Sequence, residues 1–344
     1  MPALKARPAD FLVRENLLVP LTEPSLASHQ YLMLRKSGYT TFEAIRLIAE
    51  RLACAPDQVT YAGLKDEDGI TEQLVAVPLA YASAAGAAPM SITESDRWLR
   101  LQPYGFGTAG LDVGKLDGNS FRIVVRNLGA DTAELLAGRS KLIFCALNYY
   151  DTQRFGVPAG PKLTHVLGGH ILRRSWDDAF HLLRTIKAPE SALAERWRGC
   201  AQEFFEKQLD PRVVSFYLSA YSSHNWNEQL GHLVSEVAGD EAYPCDVDGI
   251  RYLYLRSGQA AAAVLGKQPE LPYQRLSLDP SAEVGHSPRA TVVQTPIIVS
   301  ELLPDELCAA RFSVVLRFAL PSGCYATTVV RQLLTPCTGT GTAE

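Results

Sequence analysis

The sequence predicts an α+β protein in which one domain is interrupted by a mostly helical insertion. Three observations carry that expectation. Strand-like alternation of apolar and polar residues dominates the first 130 residues, and helical periodicity takes over after about residue 156. A strong strand pattern at 311–320 then leads into a helix-like tail, which returns to the texture of the start.

Taken in order, DFLVRE (10–15) and HQYLMLRK (29–36) alternate as half-buried strands do. Thr40 and Glu43 have capping-box spacing, and Ile45, Ile48 and Leu52 recur on one face of the helix that follows. VTYAGL (59–64) and ITEQLVAVP (70–78) read as strands on either side of the polar KDEDG (65–69). The small-residue segment YASAAGAAPMS (81–91) reads as loop, and WLRLQ (98–102) and NSFRIVVRNL (119–128) as strands. Asp131 with Glu134 is expected to open a helix running to about Tyr150. VPAGPKLTHVLGGH (157–170) reads as loop. Three helices should follow: SWDDAFHLLRTIK, ESALAERWRGCAQEFFEKQL and PRVVSFYLSAYSSHNWNEQLGHLVSEV. A Pro/Gly/Ser-rich stretch with short strands runs from Tyr243 to Ser300. RFSVVLRFAL (311–320) is a strand, and YATTVVRQLL (325–334) a terminal helix. There is no internal repeat or low-complexity tract.

Composition narrows the function classes. A chain of 344 residues with 47% hydrophobic and 20% charged residues is globular and has room for about two domains. No apolar run approaches the roughly 18 residues of a membrane-spanning helix, so no membrane is expected as a partner. MPALKARPADFLVREN has no apolar core of a secretory signal. Seven cysteines (54, 145, 200, 245, 308, 324, 337) lie far apart with no CxxC pair. That spacing speaks against a thiolate zinc site or a disulfide scaffold and fits a reducing cytoplasm. A net charge of -4 argues against indiscriminate coating of nucleic acid but leaves room for a local basic groove.

Individual motifs are ambiguous. Gly105, Gly107 and Gly110 in YGFGTAG have dinucleotide-loop spacing, but turn and strand follow instead of a helix, so a flexible loop is expected there. No phosphate loop of the GxxxxGK[ST] type occurs. The seven histidines, His29, His165 and His170 among them, show no metal-ligand spacing, so no metal is expected. KDEDG has the composition of a hairpin turn, and a turn between strands can also present a carboxylate, with Lys65 beside Asp66 to keep it charged. NYYDTQRFG (148–156) reads on composition as a helix end capped by Gly156, and LPSGCYATTVVR (320–331) as strand, turn and helix.

In their order, these segments are specific. Lys5–x–x–Pro8–x–Asp10–Phe11–x–Val13–x–Glu15, His29 with its strand, YAGLKD…TEQ (61–73), GKLDGNSF (114–121), NYYDTQRFG, LSAYSSHNWN (218–227) and RFALPSGCYATTVVRQL (317–333) follow one another along the chain. The sequence thereby resembles the TruD family of pseudouridine synthases along nearly its whole length. The resemblance implies a catalytic domain of 1–155 and 303–344 with a mixed or antiparallel sheet. It also implies a mostly helical α+β TRUD insertion domain of 156–302. The implied reaction is isomerisation of uridine to pseudouridine in RNA, most often tRNA, without cofactor or metal.

The resemblance makes Asp66, the aspartate of the GLKD motif, the essential catalytic residue, with Lys5 as the active-site cation that pairs with it. Asp66 adds to C1′ or abstracts a proton from C2′, and the sequence leaves both routes open. Phe11, Asn148 and Tyr325 fall on base-contacting positions, with Tyr150 as a second aromatic near Asn148. An aromatic face replaces stacking worth roughly 1–3 kcal/mol for a flipped-out base. An amide offers donor and acceptor to the imide edge of uracil. Gln153 and Arg154 order the loop or meet phosphate.

Two departures bear on the substrate. Glu67 and Asp68 follow Asp66 where the family is commonly basic, and GFGTAGLDVG carries Asp112 and no cation before Lys115. Each lost phosphate contact removes about one unit from the salt slope of RNA affinity. Two other readings therefore stand beside the first: the same isomerisation on a free uridine nucleotide or an atypical RNA for C-nucleoside biosynthesis, or a non-catalytic protein that binds and remodels RNA. No exposed helix stripe suggests self-association, so a monomer is expected.

Overall fold

The structure, a computed structural model, describes residues 2–82, 89–156, 160–279, 281, 284–300 and 302–335. In chain order the first elements are β1 (Phe11–Asn16), β2 (His29–Ser37), α1 (Thr41–Leu52), β3 (Thr60–Tyr61), β4 (Ile70–Pro78), α2 (Leu79–Ala82) and β5 (Met90–Glu94). β6 (Arg97–Gly107), β7 (Gly118–Leu128), α3 (Ala130–Leu136) and β8 (Lys141–Leu147) follow. Next come α4 (Thr164–Leu172), α5 (Trp176–Thr185), α6 (Ser191–Arg196), α7 (Ala201–Glu203) and α8 (Pro211–Ala238). The chain ends with β9 (Ala242–Val247), β10 (Ile250–Leu255), α9 (Gly258–Lys267), β11 (Glu270–Arg275), β12 (Gly285–Ala290), β13 (Val292–Val299), β14 (Leu303–Pro304), β15 (Phe312–Pro321) and α10 (Ala326–Leu334). No helix among the described residues is long and apolar enough to cross a membrane.

Packing divides the described chain into two units, 2–144 with 295–323, and 145–294 with 324–335. The first is built on a mixed sheet in the order β5-β6-β2-β4-β1-β7-β15-β13-β8, with β3 added to β4 and β14 to β15. β1 runs parallel to β4 and antiparallel to β7. Side chains alternate across such a sheet, so Phe11, Val13 and Glu15 of β1 are buried on one face while Leu12 and Arg14 point to the other. On the buried face Ile45, Ile48 and Leu52 of α1 pack on Leu34, Val75, Val77 and Leu99. That helix starts with the capping box expected of Thr40 and Glu43.

The second unit is organised on α8, 28 residues long, whose first turn is fixed by Pro211 and by the Asp210 side chain accepting the Arg212 N–H. Leu167 and Ile171 of α4, Leu183 of α5 and Phe204 form one core cluster with Tyr217 and Leu218 of α8. Trp226, Leu230 and Val234, further along α8, join Tyr149, Tyr252 and Tyr254 in another.

Several expected elements differ. The helix expected from Asp131 to Tyr150 stops at Leu136, and Lys141–Leu147 is a strand. LIFCAL is an apolar run without a period, and its place at the sheet edge beside β13 decides its form. The loop expected over 157–170 holds α4 from Thr164 onward, so His165 and His170 are helical; residues 157–159 lie outside the described chain. Gly168 is no loop marker: a Cβ there would overlap the Tyr217 carbonyl, so it is the point where α4 packs closely on α8. The helix expected over ESALAERWRGCAQEFFEKQL breaks after Arg196, where the Trp197 indole donates to the Cys200 carbonyl at 3.0 Å, and resumes as α7 and a π turn over Phe204–Gln208. Of the expected loop 81–91, residues 83–88 lie outside the described chain, and Met90 already belongs to β5. Gly105 and Gly107 lie within β6, not in a flexible loop.

Candidate active site

Asp66 sits in the loop joining β3 to β4, and three buried side chains hold the backbone of that loop. Lys36 of β2, fully buried, donates to the carbonyls of Tyr39 at 2.8 Å, Lys65 at 3.2 Å and Asp66 at 3.0 Å. Burial pushes its ammonium down to about 8, against the pull of the Asp66 carboxylate. The Thr41 hydroxyl accepts the Lys65 N–H at 2.9 Å and donates to Gln73 Oε1 at 3.1 Å. The Gln73 amide in turn donates to the Gly63 carbonyl at 2.9 Å. Gly69 closes the loop: a Cβ there would strike the Phe11 carbonyl.

Lys65 does not face Asp66 as its sequence position suggests. Its ammonium is buried and donates to Glu15 Oε1 at 2.7 Å, with side-chain exposures of 4% and 1%. The pair faces inward with Val13 and Phe11 and anchors the loop to β1. The cation on Asp66 is Lys5, whose Nζ lies 3.0 Å from Oδ2. The Asp66 side chain keeps 42% of its surface exposed, so the carboxylate is presented outward while its backbone carbonyl is bonded to Lys36. Lys5 reaches it from a left-handed backbone (φ 58), costly for a lysine, which also lays the ammonium 4.5 Å above the Phe11 ring. The turn is held because Ala3 exchanges two backbone hydrogen bonds with Arg126. The Arg126 guanidinium in turn clamps Asp10 bidentately at 2.8 and 2.9 Å and reaches Asp305 at 3.0 Å. Phe11 itself is 3% exposed.

Asn148, Tyr150 and Tyr325 come together in the second unit. Tyr150 touches Tyr325 edge-on with ring centroids 6.0 Å apart and meets Trp226 at 5.8 Å and Tyr273 at 5.7 Å. Arg289 lies 3.9 Å over its ring and 4.8 Å over that of Trp226. Burial drives the Tyr150 phenol up to about 12 and raises that of Tyr325. Asn148 is 6% exposed: its Nδ2 donates to the Ala290 carbonyl at 2.9 Å and its Oδ1 accepts from Arg289 at 3.1 Å. Asp151 links this segment to α10, accepting from the Arg331 guanidinium at 2.6 Å and from the Thr327 hydroxyl. Arg154 binds Ser219 and Ser223 of α8 and packs over Phe216, so it orders the loop.

Phe11, Lys5 and Asp66 are thus one cluster within the first unit, and Asn148, Tyr150 and Tyr325 another within the second. Sequence reasoning missed Lys36, Arg289, Asp151 and Arg331. Lys36 carried a signal: Leu32, Leu34 and Lys36 share the inward face of one strand, and a lysine there needs acceptors. Arg289 lies in a Pro/Ser-rich stretch without periodicity and carried none. Among the described residues no group of three or more His, Cys, Asp or Glu is arranged to hold a metal ion.

By fold the chain stands with the pseudouridine synthases. The crystal structure of a putative tRNA pseudouridine synthase D from Methanosarcina mazei matches with a TM-score of 0.58 at 18% identity, covering 96% of this chain and 93% of that one. The family model for tRNA pseudouridine synthase D (TruD) matches residues 2–208, and the chain belongs to that family. A tRNA pseudouridine synthase D of Geotalea daltonii is 28% identical over 398 aligned positions, covering 96% of each protein. That of Aquifex aeolicus is 24% identical over 385 positions, covering 96% of this chain and 97% of its own.

Proposed function

We propose that this pseudouridine synthase acts on tRNA, with Asp66 as the catalytic carboxylate and Lys5 as its paired cation. The observation that carries the assignment is an exposed, ion-paired carboxylate on a loop whose backbone is fixed by Lys36, Thr41 and Gln73. The isomerisation breaks the bond from C1′ to N1, turns the uracil and joins C5 to C1′, with C5 giving up its proton and N1 gaining one. Nothing is added or lost, so the protein has only to hold the fragments and place a carboxylate at the ribose, as nucleophile at C1′ or base at C2′. Both roles need a carboxylate with little freedom, which the anchored backbone supplies.

Asn148 is the uracil reader in this proposal. An amide has two N–H donors and two acceptor lone pairs on its oxygen. Ala290 and Arg289 take one of each. The remaining lone pair matches the N3–H of the imide edge, and the second N–H, which meets the Cys324 sulfur, turns to a uracil carbonyl. Tyr325, half-buried, stacks on the base; Tyr150 backs it, one face already covered by Arg289. Phe11 is the apolar platform under Lys5. The same reading assigns 1–155 with 303–344 to the catalytic domain and 156–302 to the insertion domain, and has the protein work as a monomer in the cytoplasm. Relatives named for tRNA over nearly their whole length lend no support to the free nucleotide or to a non-catalytic remodeller.

Incubating the purified protein with tRNA transcripts and, separately, with UMP tests the reading, with pseudouridine quantified by nucleoside mass spectrometry after digestion. Pseudouridine in tRNA and none from UMP is expected. Product from UMP alone would overturn the substrate assignment.

A further inference from the structure

The mechanism uses only one face of the sheet. Phe11, Val13 and Glu15 point to the Asp66 side, because Phe11 lies under Lys5 and Glu15 holds Lys65. Leu12 and Arg14 alternate to the reverse face, where a concavity of about 530 Å³ runs over β4, β1, β7, β15, β13 and β8. Register places Ile70, Leu12, Arg122, Arg317 and Ile298 side by side in one row across five strands. In the neighbouring row Glu72, Arg14, Ser120 and Ala319 lie side by side, and Lys141 stands at the β8 side.

We propose that this reverse face binds the phosphate backbone of the RNA substrate outside the target nucleotide, an inference that rests on the tRNA reading above. Charge complementarity commits the groove to a polyanion. Four cations, Arg14, Arg122, Lys141 and Arg317, line it against one carboxylate, Glu72, which is itself paired with Arg35 at 3.2 Å. None of the four has an ion-pair partner among the described residues. Arg122 and Arg317 stand directly opposite each other on neighbouring strands, where like charges repel. A chain with more acidic than basic residues has carboxylates to spare for such a pair and places none between them. A phosphate between two guanidinium forks turns the repulsion into bidentate hydrogen bonding.

Position points to RNA as the polyanion. Leu12 follows Phe11 directly, and Ile70 opens β4 just after the Asp66 loop. The cationic row therefore begins at the same strand ends that carry Asp66 and Lys5. A polynucleotide with its uridine at Asp66 can pass round that end onto Arg122 and Arg317. The catalytic side offers phosphate little beside the loop: Glu67 and Asp68 follow Asp66, and Lys115 is held by Asp112 at 2.7 Å.

The test measures tRNA affinity against salt concentration for the full chain, with R122Q/R317Q and, as a single-charge control off this face, Arg46→Gln on α1. Each phosphate contact contributes about 0.7–0.9 to the log–log slope. The double variant should lose about 1.4–1.8 units of slope and Arg46→Gln none. Should the double variant not fold, Lys141→Gln at the sheet edge should lose about 0.8 unit on the same scale. A wild-type slope in the double variant, as an acidic protein partner on this face would give, overturns the proposal. So does an equal loss in Arg46→Gln. Pseudouridine formation by the wild-type preparation, assayed in parallel, shows separately whether the underlying reading holds.

Discussion

Lys36 meets three carbonyl oxygens, those of Tyr39, Lys65 and Asp66, and only a protonated amine has three protons to give them. Burial sets its titration at about 8, so above that pH one of these three bonds, two of which hold the Asp66 loop, is lost. Turnover should therefore fall on the alkaline side with an apparent pKa near 8, read from initial rates at saturating tRNA; a flat profile to pH 9.5 would contradict this role. The two lysines near Asp66 divide differently. Lys65→Met strands the Glu15 carboxylate in the interior with the Leu74 N–H at 3.3 Å, and should cost about 3–5 kcal/mol in urea unfolding. Lys5→Met removes an ion pair with a half-exposed partner, worth roughly 0–1 kcal/mol, and should leave stability nearly unchanged while abolishing turnover. Equal destabilisation by both would remove the distinction between anchor and cation.

At the scale of elements, legibility followed periodicity. β1, β2, β4, β7, β15, α1 and α10 were readable within a residue or two, because each has a buried face whose spacing is that of a strand or helix. β8 and α4 were misread: an apolar run without a period fits either form, and paired glycines mark a loop and a tight helix contact alike. The segments of the candidate site were legible only through their order along the chain, since composition gives KDEDG no more than a turn. What stayed hidden are the braces that act between distant elements. Asp151 is the main one, joining the Asn148 segment to α10 through Thr327 and Arg331. Asp151→Ala leaves Arg331 without its carboxylate and should cost about 3 kcal/mol by thermal unfolding. An unchanged melting temperature would mean that α10 is positioned by packing alone.

For the whole molecule, charge and titration set where the two units are stable. In the second, His165 and His224 stack in parallel with centroids 4.2 Å apart, and the Nδ1 of His165 is buried without a hydrogen-bond partner. Burial, with the neighbouring imidazole added, lowers His165 to about 4, and burial lowers His224 too. The unfolded chain takes these protons first, so stability is complete above pH 6.5 and is lost as the pH falls toward 4, by on the order of 3 kcal/mol. Replacing His165 with Phe should flatten that decline; an unchanged decline would place its origin elsewhere. In the proposed reading the first unit meets RNA on two faces, one with the carboxylate and one with the arginine row. The proposal places the chemistry on the Asp66 carboxylate, and its most direct measurement is the single-turnover rate of pseudouridine formation in a tRNA transcript by Asp66→Asn, with affinity measured alongside. The account predicts no detectable product and affinity within about twofold of wild type, since one side-chain oxygen among many contacts is replaced. Pseudouridine formed by that variant at a rate near wild type would contradict it.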